Sequence, residues 1–186
     1  MGRVSKAQAQ ENRQRVVETA SRLFREQGTN VSVADLMKAV GLTHGGFYKQ
    51  FASKEALLDE ATAHAFDELA GRHAAGLERH AGHEEAARRE LIDGYLSVEH
   101  RDNPGDGCPV AGLAADMARA SGGQEAHRVY AEGARSFADA LTTEEQDGIV
   151  RLCTMLGALT LARATKGSAL SEEILDTARA ALTEGD

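Results

Sequence analysis

Apolar residues recur along this chain at three- and four-residue intervals, the spacing of one helix face, and no β-branched alternating run bounded by hairpin turns interrupts them. Val16, Val17, Ala20, Leu23 and Phe24 form the first stripe and predict a helix running to about Gln27 and Gly28. Ser32 is placed to cap a second helix, Asp35 three residues on fits the reciprocal capping pattern, and Leu36, Ala39 and Val40 give it an inward face. Gly41 accepts the left-handed conformation that ends many helices, Leu42 fills the corner, and Thr43 can cap the next helix. In that third helix Phe47 and Phe51 point inward, which leaves His44, Gly45, Tyr48, Lys49 and Gln50 on the outer sides. Two short helices around a tight turn make a helix-turn-helix.

The pattern continues past this head. Ser53 caps a long fourth helix with Leu57, Leu58, Ala61, Ala65 and Leu69, a connector whose first turn carries Lys54 where side chain and helix dipole can bind one phosphate. A break near Gly82 precedes a fifth helix reaching about His100, with Leu91, Tyr95, Leu96 and Val98, and RDNPGDG reads as a loop. Cys108-Pro109 opens a sixth helix, and Ser121-Gly122-Gly123 separates it from a seventh carrying Val129, Tyr130, Ala134, Phe137 and Leu141. Thr142 and Glu145 form a capping pattern for an eighth, with Ile149, Leu152, Cys153, Leu156, Leu159 and Ala162; Ser171 caps a ninth, with Ile174, Leu175, Ala178 and Leu182. The expectation is an all-α fold of about nine helices, a head at residues 1–52 and a larger helical body at 53–186.

Composition agrees, since two prolines, no tryptophan and 42% apolar residues suit a packed helical core. Nothing near the start resembles a signal peptide and no segment approaches the roughly 20 apolar residues of a membrane span, so a cytoplasmic protein without a membrane partner is expected. The charge sharpens the picture. Residues 1–54 hold nine basic and four acidic residues, a balance of +5, whereas the remainder holds 12 basic and 25 acidic, a balance of −13. A basic head on an acidic body is what duplex binding through one end requires, because phosphate neutralisation supplies most non-specific affinity.

Gly45 and Gly46 inside the third helix each cost about 1 kcal/mol relative to alanine. Close approach to a phosphate or base edge offsets that cost in one account; tight packing of two helices does so in the other. Cys108 at a helix amino terminus is biased towards thiolate by the backbone dipole, or is a small buried packing residue. Cys153 on an apolar helix reads as inert, and the two cysteines form neither a disulfide framework nor a zinc pattern. His73, His80 and His83 with Glu84 and Glu85 straddle a glycine break and read as surface groups, so no metal and no cofactor is expected.

The stretch VSVADLMKAVGLTHGGFYKQFASKEALL resembles the signature of the TetR/AcrR family of bacterial transcriptional repressors, and GALTLARAT with LSEEILDTAR resembles that family's last two helices. His44 stands where a Lys is common and Gly46 where a Thr or Ser is common. The resemblance implies a homodimer on palindromic double-stranded operator DNA, one reading helix per major groove, released by a small hydrophobic or electrophilic effector in the body. It puts Ser32, Thr43, Tyr48 and Lys54 at phosphates and His44, Gly45 and Lys49 at base edges. Effector contacts are expected among Phe66, Leu69, His73, Tyr95 and Cys108 and, further on, Leu113, Met117, Tyr130, Phe137 and Met155. The dimer's four-helix bundle is expected to use Leu152, Leu156 and Leu159 of one helix with Ile174, Leu175, Ala178 and Leu182 of the next. Cys108 falls in a region like that of electrophile-sensing members. No nucleophile with a base and no poised carboxylate pair appears, so catalysis is not expected; a helical adaptor or small-molecule binder without DNA binding, or an enzyme on a helical fold, is the alternative.

Overall fold

The computed structural model describes residues 6–119 and 123–183. Among them are ten α-helices, one 3-10 turn and no strand. The expected break at Ser121 and Gly122 lies outside the described residues.

The head is built from α1 (Lys6–Gln27), α2 (Val33–Ala39) and α3 (His44–Phe47). Gly28, at φ +82°, ends α1 and donates its N–H to the Phe24 carbonyl at 3.0 Å. Ser32 caps α2 as its sequence position requires, its hydroxyl accepting the Asp35 N–H at 3.1 Å and donating to the Asp35 carboxylate at 2.6 Å. At the other end, Gly41 at φ +71° donates to Lys38 O and Leu42 to Met37 O at 2.8 Å, a Schellman closure. The inward face of α2 is Leu36 with Met37, both buried, while Ala39 is exposed and Val40 half-buried. Ala39 was expected inside; Met37, one turn from Val33 and Val40, is the larger apolar group and takes the core.

The body contains α4 (Lys54–Arg79), α5 (Glu84–Tyr95), α6 (Val98–Asp102), the 3-10 turn Pro104–Asp106, α7 (Pro109–Ala118), α8 (Gln124–Leu141), α9 (Gly148–Ala164) and α10 (Ala169–Thr183). The 26 residues of α4 span about 39 Å at 1.5 Å per residue. They pack on α1 at one end and on α8 and α5 further along. Gly133 makes the α4–α8 approach possible, because a Cβ there would lie 2.1 Å from the Phe66 ring.

Four boundaries differ from expectation, two of them because a local cap outweighs the periodic pattern, and the third helix ends at Phe47 with Tyr48 as its C-cap instead of reaching Phe51. The fifth helix stops at Tyr95, and Ser97, whose hydroxyl accepts the His100 N–H at 3.1 Å, starts the separate α6; the expected loop at 101–107 is therefore partly helical. Asp147, not Thr142 with Glu145, caps α9 by accepting the Ile149 N–H at 2.7 Å. Ser171 lies inside α10, fully buried, donating to Ala162 O at 2.7 Å and accepting from Arg101 at 2.9 Å.

Two apolar clusters hold the molecule. One joins Val16, Phe24, Leu36, Met37, Phe47 and Phe51 of the head to Leu57 and Leu58 of α4 and to Leu113 and Met117 of α7. The other lies wholly in the body around Ile92, Leu96, Phe137, Met155, Leu159 and Leu175. The head is therefore seated on α7 as well as α4.

Candidate nucleic-acid interface and effector cavity

Phe47 and Phe51, 0% and 3% exposed, anchor α3 against the head core, and their rings lie 5.4 Å apart. That anchoring turns Thr43, His44, Gly45, Tyr48 and Lys49 outward, all exposed, with Tyr48 at 62%. The Tyr48 ring meets Phe47 edge-on at 5.1 Å and His44 at 5.8 Å, so the phenol is braced although solvent-facing. Thr43 occupies the cap position but makes no side-chain cap bond. A Cβ at Gly45 would meet nothing within 4 Å, and one at Gly46 only Met37 Cε and Thr43 Oγ1, each at 3.6 Å. Tight helix packing thus accounts for neither glycine.

Charge on the head is less available than the count of cations suggests. Arg13 pairs with Glu60 at 2.5 Å and covers the Phe51 ring at 4.8 Å; Arg22 pairs with Asp106 and Arg25 with Glu68, both at 2.9 Å. Arg25 is 4% exposed and also donates to Gly107 O at 3.0 Å. Lys54, expected at a phosphate, instead donates its ammonium to Thr29 O at 2.5 Å, and partial burial lowers its pKa against the opposing pull of Asp116. Asp116 is buried and accepts the Thr29 N–H at 3.1 Å, so Lys54 and Asp116 grip one peptide segment from both sides. Lys38 and Lys49 are exposed and have no carboxylate partner among the described residues.

The body holds a cavity of about 620 Å³ between α4, α5, α6 and the amino terminus of α7, lined by Leu69, Arg72, His73, Leu91, Tyr95, His100, Cys108 and Phe137 among others. A second space of about 380 Å³ between α4 and α8 adds Phe66 and shares Leu69, His73 and Phe137. Six expected contact residues therefore line cavities. Four do not. Leu113 and Met117 belong to the head-side cluster, Met155 is sealed in the body core, and Tyr130 spends its hydroxyl on Val110 O at 2.8 Å, with burial pushing its pKa up to about 12. Helical periodicity marks inward positions but cannot distinguish a filled interior from an empty one.

His100 and Arg72 were not anticipated. His100 follows the unread helix break, so its ring could not be placed from sequence; Arg72 was legible as the neighbour of Leu69 on α4. The His100 ring donates from Nδ1 to Tyr95 O at 2.7 Å and accepts the Cys108 N–H on Nε2 at 3.0 Å. Acceptance at Nε2 requires neutral imidazole, and burial pushes its pKa down to about 4. Cys108 is the amino-terminal cap residue of α7, as expected, but burial raises its thiol pKa and outweighs the N–H groups of Val110 and Ala111. The expected bias towards thiolate is reversed by desolvation. Cys153 is exposed.

The expected dimer stripe is also corrected in part. Leu152, Leu159, Leu175 and Leu182 are buried within the chain in the α9–α10 seam, with Ile174 and Ala178 packed half-buried against it. Leu156 is half-buried. The apolar groups α9 shows to solvent are Ile149, Val150 and Leu161, about half exposed, with Leu170 at the start of α10. Two stripes on one helix can share a spacing, and only the neighbours decide which faces inward. No described helix is long and apolar enough to cross a membrane, and no group of three or more His, Cys, Asp or Glu among the described residues is arranged to hold a metal.

The amino-terminal model of the tetR family of bacterial regulatory proteins matches residues 16–61. Over 61 residues, 32% of this chain, the sequence is 41% identical to the HTH-type transcriptional regulator AcrR of Shigella flexneri, and the match spans only 28% of that relative. Reduced NemR of E. coli shares the fold at a TM-score of 0.74 and 20% identity, over 93% of this chain and 96% of that one. AibR, solved in complex with isovaleryl coenzyme A and operator DNA, does so at 0.65 and 18% identity, over 92% and 98%. The helix-turn-helix is thus matched by sequence to the tetR family of bacterial regulatory proteins over residues 16–61, and the arrangement of helices is matched end to end by the fold of these solved regulators.

Proposed function

We propose that the chain is a cytoplasmic transcriptional repressor, not an enzyme, that binds a palindromic operator as a homodimer and leaves it when a small effector occupies the body cavity. The observation that carries the reading is the outer face of α3, where Thr43, His44, Gly45, Tyr48 and Lys49 are exposed around a helix with open space above Gly45. A helix docks in the major groove by its amino-terminal residues, so His44, Gly45 and Lys49 meet base edges while Ser32, Thr43 and Tyr48 position the head on phosphates. Lys54 is assigned to the head–body joint instead. Residues 1–52 act as the DNA-binding unit and 53–186 as the effector-binding and dimerisation unit, with the exposed α9 stripe, Ile149, Val150 and Leu161, as the face that meets the second subunit.

Coupling runs through the cavity edge. Asp106 and Gly107 line the cavity and are tied to α1 by Arg22 and Arg25, so an occupant that displaces this edge pulls on the head. AibR's capture with both an acyl-CoA and operator DNA supports a fold of this kind holding the two ligand classes.

Selection of operators from random duplexes, followed by gel shift, tests the reading. Sequence-selective binding that weakens steeply with salt is expected. Tyr48→Ala should weaken binding across sequences, whereas His44→Ala should shift base preference. Absence of binding even at low salt would leave the adaptor or enzyme.

A further inference from the structure

The cavity's walls are apolar, but its inner end is not. Leu69, Leu91 and Phe137 give the hydrophobic surface, and at the end formed by Tyr95, His100 and Cys108 the Tyr95 hydroxyl is buried with no nitrogen or oxygen partner, facing only the weakly accepting Cys108 thiol. A buried hydroxyl left without a nitrogen or oxygen partner marks a place where a ligand atom completes the set. Arg72 lines the same cavity, close enough to act electrostatically on His100 and Cys108, and makes no ion pair or hydrogen bond among the described residues. Arg163 adds a second cation whose hydrogen bonds go only to the His100 and Arg101 carbonyls.

The acidic groups at the mouth are mostly spoken for. Glu90 is held by Arg79 at 2.9 Å and His80 at 2.7 Å, and Asp106 by Arg22. Glu99 remains, exposed on the outer side of α6 at the rim. His100 contributes no charge, since its hydrogen bonds hold it neutral. The chain as a whole carries −8, so a cavity lined by an unpaired guanidinium, with two of its three carboxylates already held by cations, runs against the global charge.

We propose that the cavity binds a monocarboxylate on a medium-length alkyl or aryl body, the carboxylate paired with Arg72 and hydrogen-bonded by the Tyr95 hydroxyl, the body lying along Leu69, Leu91 and Phe137. This rests on the reading of the body as the effector-binding unit and narrows the effector to an amphipathic acid. Arg72 is a planar fork suited to carboxylate, Tyr95 supplies a neutral donor, and neither needs a change of protonation near neutral pH.

Titration calorimetry of the DNA-free protein with decanoate, decanamide and decylammonium, together with butyrate, octanoate and 4-phenylbutyrate, tests it. Decanoate should bind about tenfold or more tighter than decanamide, as expected for a charge-assisted pair, and decylammonium should not compete. Arg72→Gln should bring acid and amide within about twofold of each other, Arg72→Lys should keep part of the preference, and Tyr95→Phe should weaken the acid about threefold. Arg72 is exposed and Tyr95→Phe is nearly isosteric, so unchanged circular dichroism and melting temperature confirm that the variants fold. Equal affinity for acid and amide, a preference that survives Arg72→Gln, or no binding by any of the four acids overturns the inference. Gel shift separates it from the broader reading. Acid binding with this Arg72 dependence but no operator release keeps the site and removes the effector role; operator release by neutral or cationic compounds alone keeps the repressor and removes the acid.

Discussion

The outer face of α3 and the inner end of the body cavity are built in opposite ways. The α3 face is continuous in sequence, rests on two phenylalanines beneath it, and presents exposed groups with open space above Gly45. The cavity end gathers Arg72, Tyr95, His100 and Cys108 from three helices and a helix cap, and hides a hydroxyl and an imidazole from water. A surface meant for a rigid polyanion needs projecting groups on a firm base, whereas a pocket for a small molecule needs desolvated groups whose partners arrive with the ligand. Substitutions in the first region should therefore alter binding while sparing stability, whereas in the second the hydrogen-bonded His100 carries stability and the unpaired Arg72 carries binding.

The largest effect belongs to the residue that ties the two regions. Arg25 is buried on α1, pairs with Glu68 of α4 and donates to Gly107 at the cavity edge. Arg25→Met should cost about 3 kcal/mol of unfolding free energy, since it leaves the Gly107 carbonyl without its buried donor and the half-exposed Glu68 without its cation. Chemical denaturation followed by circular dichroism measures it, and a loss below about 1 kcal/mol would show that the joint does not depend on this side chain.

Gly45→Leu should break the comparison from the other side. With nothing within 4 Å of its Cβ, the new side chain is accommodated in the free protein, and leucine's better helix propensity leaves stability equal or higher. Operator affinity should fall about 100-fold, because that side chain occupies the space needed for groove approach. Retained affinity would move the interface off α3.

His100 provides a pH signature of the cavity. The folded protein keeps it neutral down to about pH 4, whereas the unfolded chain takes up a proton near 6.5. Its contribution is thus fully present above pH 6.5 and lost as pH falls towards 4, roughly 2 kcal/mol once residual exposure is allowed for. Arg72 and Arg163 act in the same direction, and protonated Nε2 would lose the Cys108 N–H as a donor. Unfolding free energies measured from pH 7.5 to 4.5 should show a component absent from His100→Gln; parallel profiles would place the imidazole in solvent.

The head was more legible than the cavity for a physical reason. Caps and the Gly41 closure are local rules, and they placed α2, the turn and the start of α3 within a residue or two, while the Phe47–Phe51 spacing carried the expected helix four residues beyond its end at Phe47. The cavity depends on where α5 stops, and the Ser97 cap that ends it was masked by apolar Leu96 and Val98 continuing the stripe. Likewise the spacing of Leu152 and Leu159 suits a subunit interface as well as an internal seam, because sequence does not say whether α10 or a second chain covers them. Cys108 was placed at the right helix end, yet its thiol follows the burial of the site and not the dipole of the helix.

Lys54 gives the smallest effect and the finest discrimination. Its place in the first turn of α4 suggests a phosphate ligand, but the ammonium is directed to Thr29 O, opposite the Asp116 carboxylate that holds the Thr29 N–H. A lysine neutralising a phosphate contributes about one unit to the slope of log affinity against log salt, so Lys49→Gln should reduce that slope by about one. Lys54→Met should leave the slope unchanged and weaken operator binding less than about twofold, while lowering stability by about 1 kcal/mol through the lost hydrogen bond. A slope reduced equally by both substitutions would mean that Lys54 swings out to the duplex, and the joint between head and body would then be remade on binding DNA.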